Sequence, residues 1–272
     1  MNTKFYYFCI REILNMKDIF IISDLSFLAF PLNAILCLLW AVAVYLLWKN
    51  ARNSKLVKFL LSPTTVFISI ALFASACLLI GFTGKRNITV SWPFILILLF
   101  FQTVLAMVIL RGWRKGRIRF KLLHAGLLLA AASAFWGAPD TQTYRVRLHR
   151  HSENIKPVPM TEAYRMDGSR VWLDYNICLD DFVYETSDSG VPVAYNAYVT
   201  IDGKSVELRV NHPYSRRFGE DIYLTGYDDV SGSCVLQVVY EPWKYTALAG
   251  ILMMLAGAFL LFLKGPQKEM KS

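Results

Sequence analysis

The chain has 272 residues, 55% hydrophobic and only 18% charged, whereas soluble domains carry about a quarter of charged residues. A purely water-soluble globule is therefore excluded. The formal charge of +9 is divided unevenly: residues Pro139 to Pro242 hold 16 acidic and 10 basic side chains, a net of −6, and the remainder holds 19 basic against 4 acidic, a net of +15. A basic excess beside long apolar runs points to anionic lipid headgroups and argues against nucleic acid.

Residues 1–30 are aromatic-rich but interrupted by Glu12, Asp18 and Asp24, which is not the form of a secretory signal peptide. They read as an interfacial amphipathic helix or a partial span, with Met16 as an alternative start. Four apolar runs follow within 31–138, at 32–48, 64–82, 94–110 and 120–138, the first prolonged by Phe27 to Phe30. A fifth occupies 243–263, before a short tail, 264–272. At 1.5 Å per residue, each can cross most or all of a hydrocarbon layer of about 30 Å. Pro31, Pro63, Pro93 and Pro242 stand at the starts of runs, where a missing N–H costs nothing. Trp48, Trp92, Trp113, Trp136 and Trp243 stand at their ends, as interfacial aromatics do.

Orientation follows from the short loops. Lys49, Arg52, Lys55 and Lys58 follow the first run, and Arg111, Arg114, Lys115, Arg117, Arg119 and Lys121 lie between the third and fourth, with no acid among them. The tail adds Lys264, Lys268 and Lys271. The positive-inside tendency predicts cytoplasmic loops and tail, with the N-terminus and residues 139–242 outside.

Within 139–242 the pattern shortens to alternation at period two. Tyr144–Arg150, Ser169–Tyr175, Val193–Ile201, Ser205–Val210, Asp221–Tyr227 and Cys234–Tyr240 read as strands. Asp202-Gly203 between two of them is a strong hairpin signal, and a Ser-Gly-Ser turn separates the last two. The predicted fold is an integral membrane α-helical bundle of about five transmembrane helices with an extracytoplasmic antiparallel β-rich domain.

Catalytic signatures are missing: there is no phosphate loop, no GxSxG elbow and no HExxH. The centres of the five runs carry almost no ionisable residue; the exception is His124, about one turn inside the fourth. Such a group faces a bundle interior or a cofactor, or it sits at the interface bonded to a neighbouring helix or headgroup. A neutral imidazole is a haem-iron ligand, and Gly126 would admit either a flat ring or another helix. His149 and His151 share a face if Tyr144–His151 is a strand, a metal spacing or simply a solvated face. His212, in Val210-Asn-His-Pro213, reads as a turn closing a strand, and Arg216 and Arg217 beside it pair either with a ligand's acids or with the domain's own carboxylates. Cys178 and Cys234, the two cysteines of the polar segment, form a disulfide only if that segment faces an oxidising compartment.

Several segments join into one resemblance. Phe120-Lys-Leu-Leu-His-Ala-Gly-Leu-Leu-Leu with Phe135-Trp-Gly, Leu179-Asp-Asp-Phe182 with Tyr195-Asn-Ala-Tyr-Val-Thr200, Leu208-Arg-Val-Asn-His-Pro213, Asp221-Ile-Tyr-Leu-Thr-Gly-Tyr-Asp228 and Val235–Pro242 resemble, in that order, the ResB-like (CcsB-type) cytochrome c biogenesis proteins of system II. Phe30-Pro-Leu-Asn33 is similar to forms joined to a CcsA-like partner. The resemblance implies a subunit, not an enzyme on its own, of the bacterial inner-membrane complex that carries haem across the membrane for attachment to c-type apocytochromes. It implies haem b shared with a CcsA-like protein, His124 as an axial ligand, apocytochrome c as a partner, and a lesser place for His212. A thiol-redox role for Cys178 and Cys234, or a scaffold without haem, is the alternative.

Overall fold

A computed structural model describes residues 28–83, 91–114, 116–149, 160–186, 192–228 and 233–264. The chain divides into two compact units: Met1–Pro139 with Tyr245–Ser272, and Asp140–Lys244.

The first unit is helical. It contains α1 (Leu32–Asn50), α2 (Lys55–Leu60), α3 (Pro63–Thr83), α4 (Trp92–Gly112), α5 (Ile118–Trp136) and α6 (Lys244–Lys264). All but α2 are long and apolar enough to cross a membrane, which matches the five expected runs. Their apolar residues show no marked sidedness, as expected where lipid replaces water around a helix. The most deeply packed helix is α4: Leu98, Phe101, Val104, Leu105 and Met107 are buried against side chains of α1, α3 and α5. Polar ties brace the bundle. Trp40 Nε1 of α1 donates to Thr103 Oγ1 of α4 at 3.1 Å, and Asn33 Nδ2 donates to the Trp136 carbonyl of α5 at 2.8 Å.

Two details differ from the sequence expectation. The first helix begins at Leu32, with residues 28–31 in turns, because Pro31 cannot donate the N–H that an earlier start would place inside the helix. The expectation for residues 1–27 lies outside the described residues. The first basic loop also contains α2, whose N-cap Ser54 accepts the Val57 amide at 3.3 Å. Six residues are too few for a periodic pattern to announce them.

The second unit is a β-sandwich. Its strands are β1 (Gln142–His149), β2 (Thr161–Arg165), β3 (Arg170–Leu173), β4 (Ile177–Thr186), β5 (Pro192–Ile201), β6 (Lys204–Arg209), β7 (Tyr214–Arg217), β8 (Glu220–Asp228) and β9 (Ser233–Tyr240). One sheet runs β3-β2-β1-β9-β8-β7, the other β4-β5-β6, and all the pairings are antiparallel. Alternation supplies the core: Val146, Leu148, Ile222, Leu224, Leu236 and Val238 from the larger sheet pack with Ile177, Leu179, Ala197, Val199, Ile201 and Leu208 from the smaller. The Asp202-Gly203 turn has φ of 48° and 73°, the positive pair a two-residue hairpin needs. A short helix turn, Ala138–Asp140, leads into the sandwich, and Trp243 Nε1 donates to Asp140 Oδ2 at 2.6 Å, tying the unit's first residue to its last turn.

Alternation alone missed β2, β4 and β7. β2 and β7 have four or five residues with at most two buried side chains, which leaves no run to recognise, and the irregular register between Leu179 and Asp181 interrupts the period of β4. The expected strand Ser169–Tyr175 is trimmed to β3 because the chain bends at Asp174 and Tyr175. The Ser-Gly-Ser turn falls largely outside the described residues.

Candidate functional site

His124 lies in the second turn of α5, half-buried. Its Nδ1 is 3.0 Å from the carbonyl oxygen of Phe120. A carbonyl can only accept, so this nitrogen carries the proton and Nε2 holds a bare lone pair in the neutral ring. The ring also lies against that of Phe120, centroids 4.1 Å apart at 33°. Phe120 is seated over glycine: any side chain at Gly112 would strike its ring, and a Cβ at Gly116 would come within 2.6 Å of it. The imidazole is thus held by a backbone bond on one nitrogen and an aromatic plate on its face, and Nε2 has no hydrogen bond among the described residues.

Helical spacing places His124 on one stripe with Leu127, Leu128, Ala131 and Phe135, and these four pack toward α4. Gly126 lies on a different side. A Cβ there would come within 2.6 Å of the Gly250 carbonyl oxygen and 2.9 Å of the Met254 nitrogen, and a Cβ at Gly250 would meet Gly126 and Ala130 equally closely. Of the two readings open for Gly126, the structure takes the second: it admits helix α6, not a flat ring.

The bundle interior holds polar groups that charge-based searching overlooks. Gln102 of α4 is fully buried, and neither its Oε1 nor its Nε2 has a hydrogen-bond partner among the described residues; Trp136 Nε1 is in the same condition. An uncharged amide in an apolar run was the available signal.

In the β-sandwich, the polar centre is Glu220, only 2% exposed. It accepts the Tyr175 hydroxyl at 2.6 Å, lies 3.5 Å from Arg216 Nη1 and pairs with Arg217 Nε. Arg216 also bridges to Asp202 at 2.8 Å and lies over the Tyr175 ring, 3.7 Å from its centroid, while Arg217 reaches Asp174 at 3.6 Å. Burial, followed by the bond to Glu220, pushes the Tyr175 phenol far above its usual range. Burial lowers Arg216, but its carboxylate partners outweigh that and hold it above its ordinary value. Both arginines therefore serve the domain's own acids. Beside them opens a cleft of about 210 Å³ with Asp202, Lys204 and Tyr214 in its wall.

The remaining expected residues are separated. His212 is exposed in the β6–β7 connection, its amide donating to the Arg209 carbonyl at 3.1 Å, which is the strand-closing turn expected of it. His149 ends β1 opposite Ser233, and His151 lies outside the described residues. No group of three or more metal-ligating side chains occurs among the described residues. The disulfide between Cys178 and Cys234 is not formed: both are free thiols, on β4 and β9 of different sheets. Cys234 is in the core, where burial pushes its thiol up to about 11. At neutral pH its thiolate is then only about one part in ten thousand.

The profile of the ResB-like family matches residues 115–234, from the loop before α5 through eight of the nine strands into the ninth. Residues 115–234 are ResB-like. The match takes in His124 and most of the sandwich, and it leaves out Phe30–Asn33 and Val235–Pro242, which the resemblance in the sequence also included. No curated protein matches the chain. A solved structure described as cytochrome c heme lyase CcmF aligns at 13% identity with a TM-score of 0.37, covering 84% of this chain and 38% of that one. That likeness is too low to carry weight, and the chain spans well under half of the protein it aligns with.

Proposed function

We propose that this ResB-like chain is a subunit of a cytochrome c maturation complex in the bacterial inner membrane, contributing His124 as an axial ligand to a haem b shared with a CcsA-like protein. The observation that carries the reading is the 3.0 Å contact of His124 Nδ1 with the Phe120 carbonyl: that oxygen accepts a hydrogen bond from Nδ1–H, which leaves the Nε2 lone pair for iron. Metal-bound histidines are typically held this way, by a bond on the second nitrogen. One imidazole offers one axial bond, and Gly126 is filled by α6, so the donor set fits half a haem site. The other face falls to the partner.

Haem would supply the vinyl groups that become thioether-linked to the apocytochrome; this chain's residues hold and orient. Phe120 fixes the imidazole plane, the basic loops set orientation against anionic headgroups, and the acidic sandwich stands on the outer side with apocytochrome c. In this reading the N-terminus is outside, the tail is cytoplasmic, and the chain has no catalytic residue of its own. A thiol relay has less support, since Cys234 is buried and protonated.

The test is absorbance of the chain co-purified with its CcsA-like partner. The wild-type pair should show a haem Soret band, and His124→Gly should lose it and regain it with added imidazole. A full band in His124→Gly without imidazole overturns the assignment.

A further inference from the structure

The chain enters the sandwich at Gln142, six residues after α5 ends, and leaves it at Tyr240, four before α6 begins. The β7–β8 hairpin turns beside the exit: its tip, Phe218-Gly219, joins Arg217 to Glu220, and Glu220 lies opposite Tyr240. Three contacts fasten this tip. The Glu241 amide donates to the Gly219 carbonyl at 2.6 Å, the Arg217 guanidinium lies 5.6 Å from the centroid of the Tyr240 ring, and a Cβ at Gly219 would come within 2.8 Å of Pro242. Gly219 has φ 80°, an angle that side chains rarely adopt. The tip therefore has one seat, against the segment that runs into α6.

Phe218, at the apex, is 67% exposed and stands outside the sandwich core. Turn positions favour glycine, proline, asparagine, aspartate and serine, for backbone reasons that a phenylalanine does not supply. The β2–β3 tip repeats the pattern at the entry: Met166, 54% exposed, follows Arg165, which pairs with Tyr144 near the start of β1. In the smaller sheet the β5–β6 tip is polar, Asp202-Gly203. What Phe218 meets follows from the chain beside it. Pro242, the neighbour of Gly219, stands two residues before Lys244, the first residue of a helix long and apolar enough to span a membrane. Two residues reach about 7 Å, and the headgroup layer is about 5–7 Å deep on each side of the hydrocarbon. Trp243 and Tyr245, flanking Lys244, are aromatics of the kind that mark this boundary.

We propose that the β7–β8 tip is a lipid anchor: Phe218 inserts its ring into the boundary between headgroups and acyl chains of the leaflet that α6 enters. Removing the ring from water supplies the affinity, and the fixed tip supplies the aim, because the turn is already ordered before it meets lipid. The anchor adds a third attachment to the two covalent ones and holds the outer domain at the membrane surface. The inference goes beyond the haem reading and needs only that α6 spans the membrane.

The experiment uses the full chain in nanodiscs of phosphatidylethanolamine and phosphatidylglycerol, with Phe218→4-fluorophenylalanine as the only fluorinated residue. The substitution keeps the size of the ring, so the fold is not put at risk. The fluorine resonance should be broadened by lipid that carries a nitroxide near the top of its acyl chain, and largely spared by a gadolinium chelate dissolved in the water. A nitroxide at the end of the acyl chain should broaden it less, because the ring stops at the boundary. Broadening by the chelate without broadening by either lipid overturns the proposal and leaves the tip to a protein partner. Stronger broadening from the chain-end nitroxide than from the upper one overturns the boundary depth. Phe218→Ser should raise amide exchange at Arg217 and Gly219 several-fold in nanodiscs while leaving Val146 and Leu236 in the core as in wild type; unchanged exchange at the tip also counts against an anchor. His124→Gly should show the wild-type fluorine pattern, so failure here and failure of the haem assignment remain separate results.

Discussion

The two units differ in how completely their buried polar groups are met, for the bundle bonds Asn33, Thr65, Ser69 and Ser133 but leaves two side chains unpartnered among the described residues. In the sandwich, Glu220 is met by a tyrosine and two arginines, Asp221 by Ser215 and Lys244, and Asp140 by Trp243. In the helical unit, Gln102 and the Trp136 indole are buried without partners among the described residues, and His124 keeps one nitrogen uncommitted. Buried polar groups without partners cost stability, and a low-dielectric surrounding raises that cost. A saturated network stabilises and specifies a fold; unused bonding capacity in an apolar bundle is capacity available to a ligand or a partner. The proposed ligand site lies on the unsaturated side, whereas the arginines of the sandwich's polar centre are already paired with its own acids.

The largest expected effect tests the saturated side. Glu220→Ala strands the Tyr175 hydroxyl and half of Arg216 in the interior, and breaking a buried pair this way costs about 3 kcal/mol or more. Global protection of β7, β8 and β9 in hydrogen exchange should fall accordingly, whereas Glu220→Gln, which still accepts from Tyr175, should lose less. An equal loss in both variants would mean that charge alone, not the shared bonding, holds this centre. The unsaturated side should respond with the opposite sign. Gln102→Leu removes two unpaired polar atoms from the bundle and should stabilise it by about 1–2 kcal/mol in thermal or denaturant unfolding in micelles. If instead it destabilises, Gln102 has a partner, and the comparison of the two units weakens.

Much of this architecture was legible in the sequence because it rests on long or strictly periodic signals. Five apolar runs bounded by tryptophans and prolines gave five helices, and the Asp202-Gly203 pair gave its hairpin. What escaped were elements whose reason is tertiary. β7 has four residues and exists because β8 pairs with its end; α2 has six and depends on one serine cap. The site divides along the same line. His124 stood out as the one ionisable group away from the ends of its run, but the choice between ring and helix at Gly126 needed the position of Gly250, more than a hundred residues away. Glu220 could not be singled out from fifteen other acids of its segment, because burial and the approach of Tyr175 are not properties of its neighbours in sequence. Gln102 was visible but unsought, since attention to charge passes over a neutral amide.

The smallest effect concerns Asp221, whose place near the sandwich's last turn makes it a pH-dependent fastener. Burial alone would raise its carboxyl, but the bonds from Lys244 and Ser215 outweigh burial and hold it below the usual carboxylate range. Folding therefore favours the ionised form. The associated stability is fully present above the unfolded-state value, about pH 3.9, and is lost as pH falls through the lower folded-state value. Exchange protection at Tyr214–Ile222 should accordingly be constant from neutrality to about pH 5 and decline below about pH 4. Asp221→Asn should start lower and stay flatter over the same range, and the two curves should converge at the acid end. Lys244→Met should reproduce the lower start while keeping a weaker acid decline, because Ser215 still donates to the carboxylate. If wild type and Asp221→Asn instead remain separated by a constant amount at every pH, the contribution is packing rather than ionisation, and the sandwich's saturated network would be less electrostatic than its distances imply.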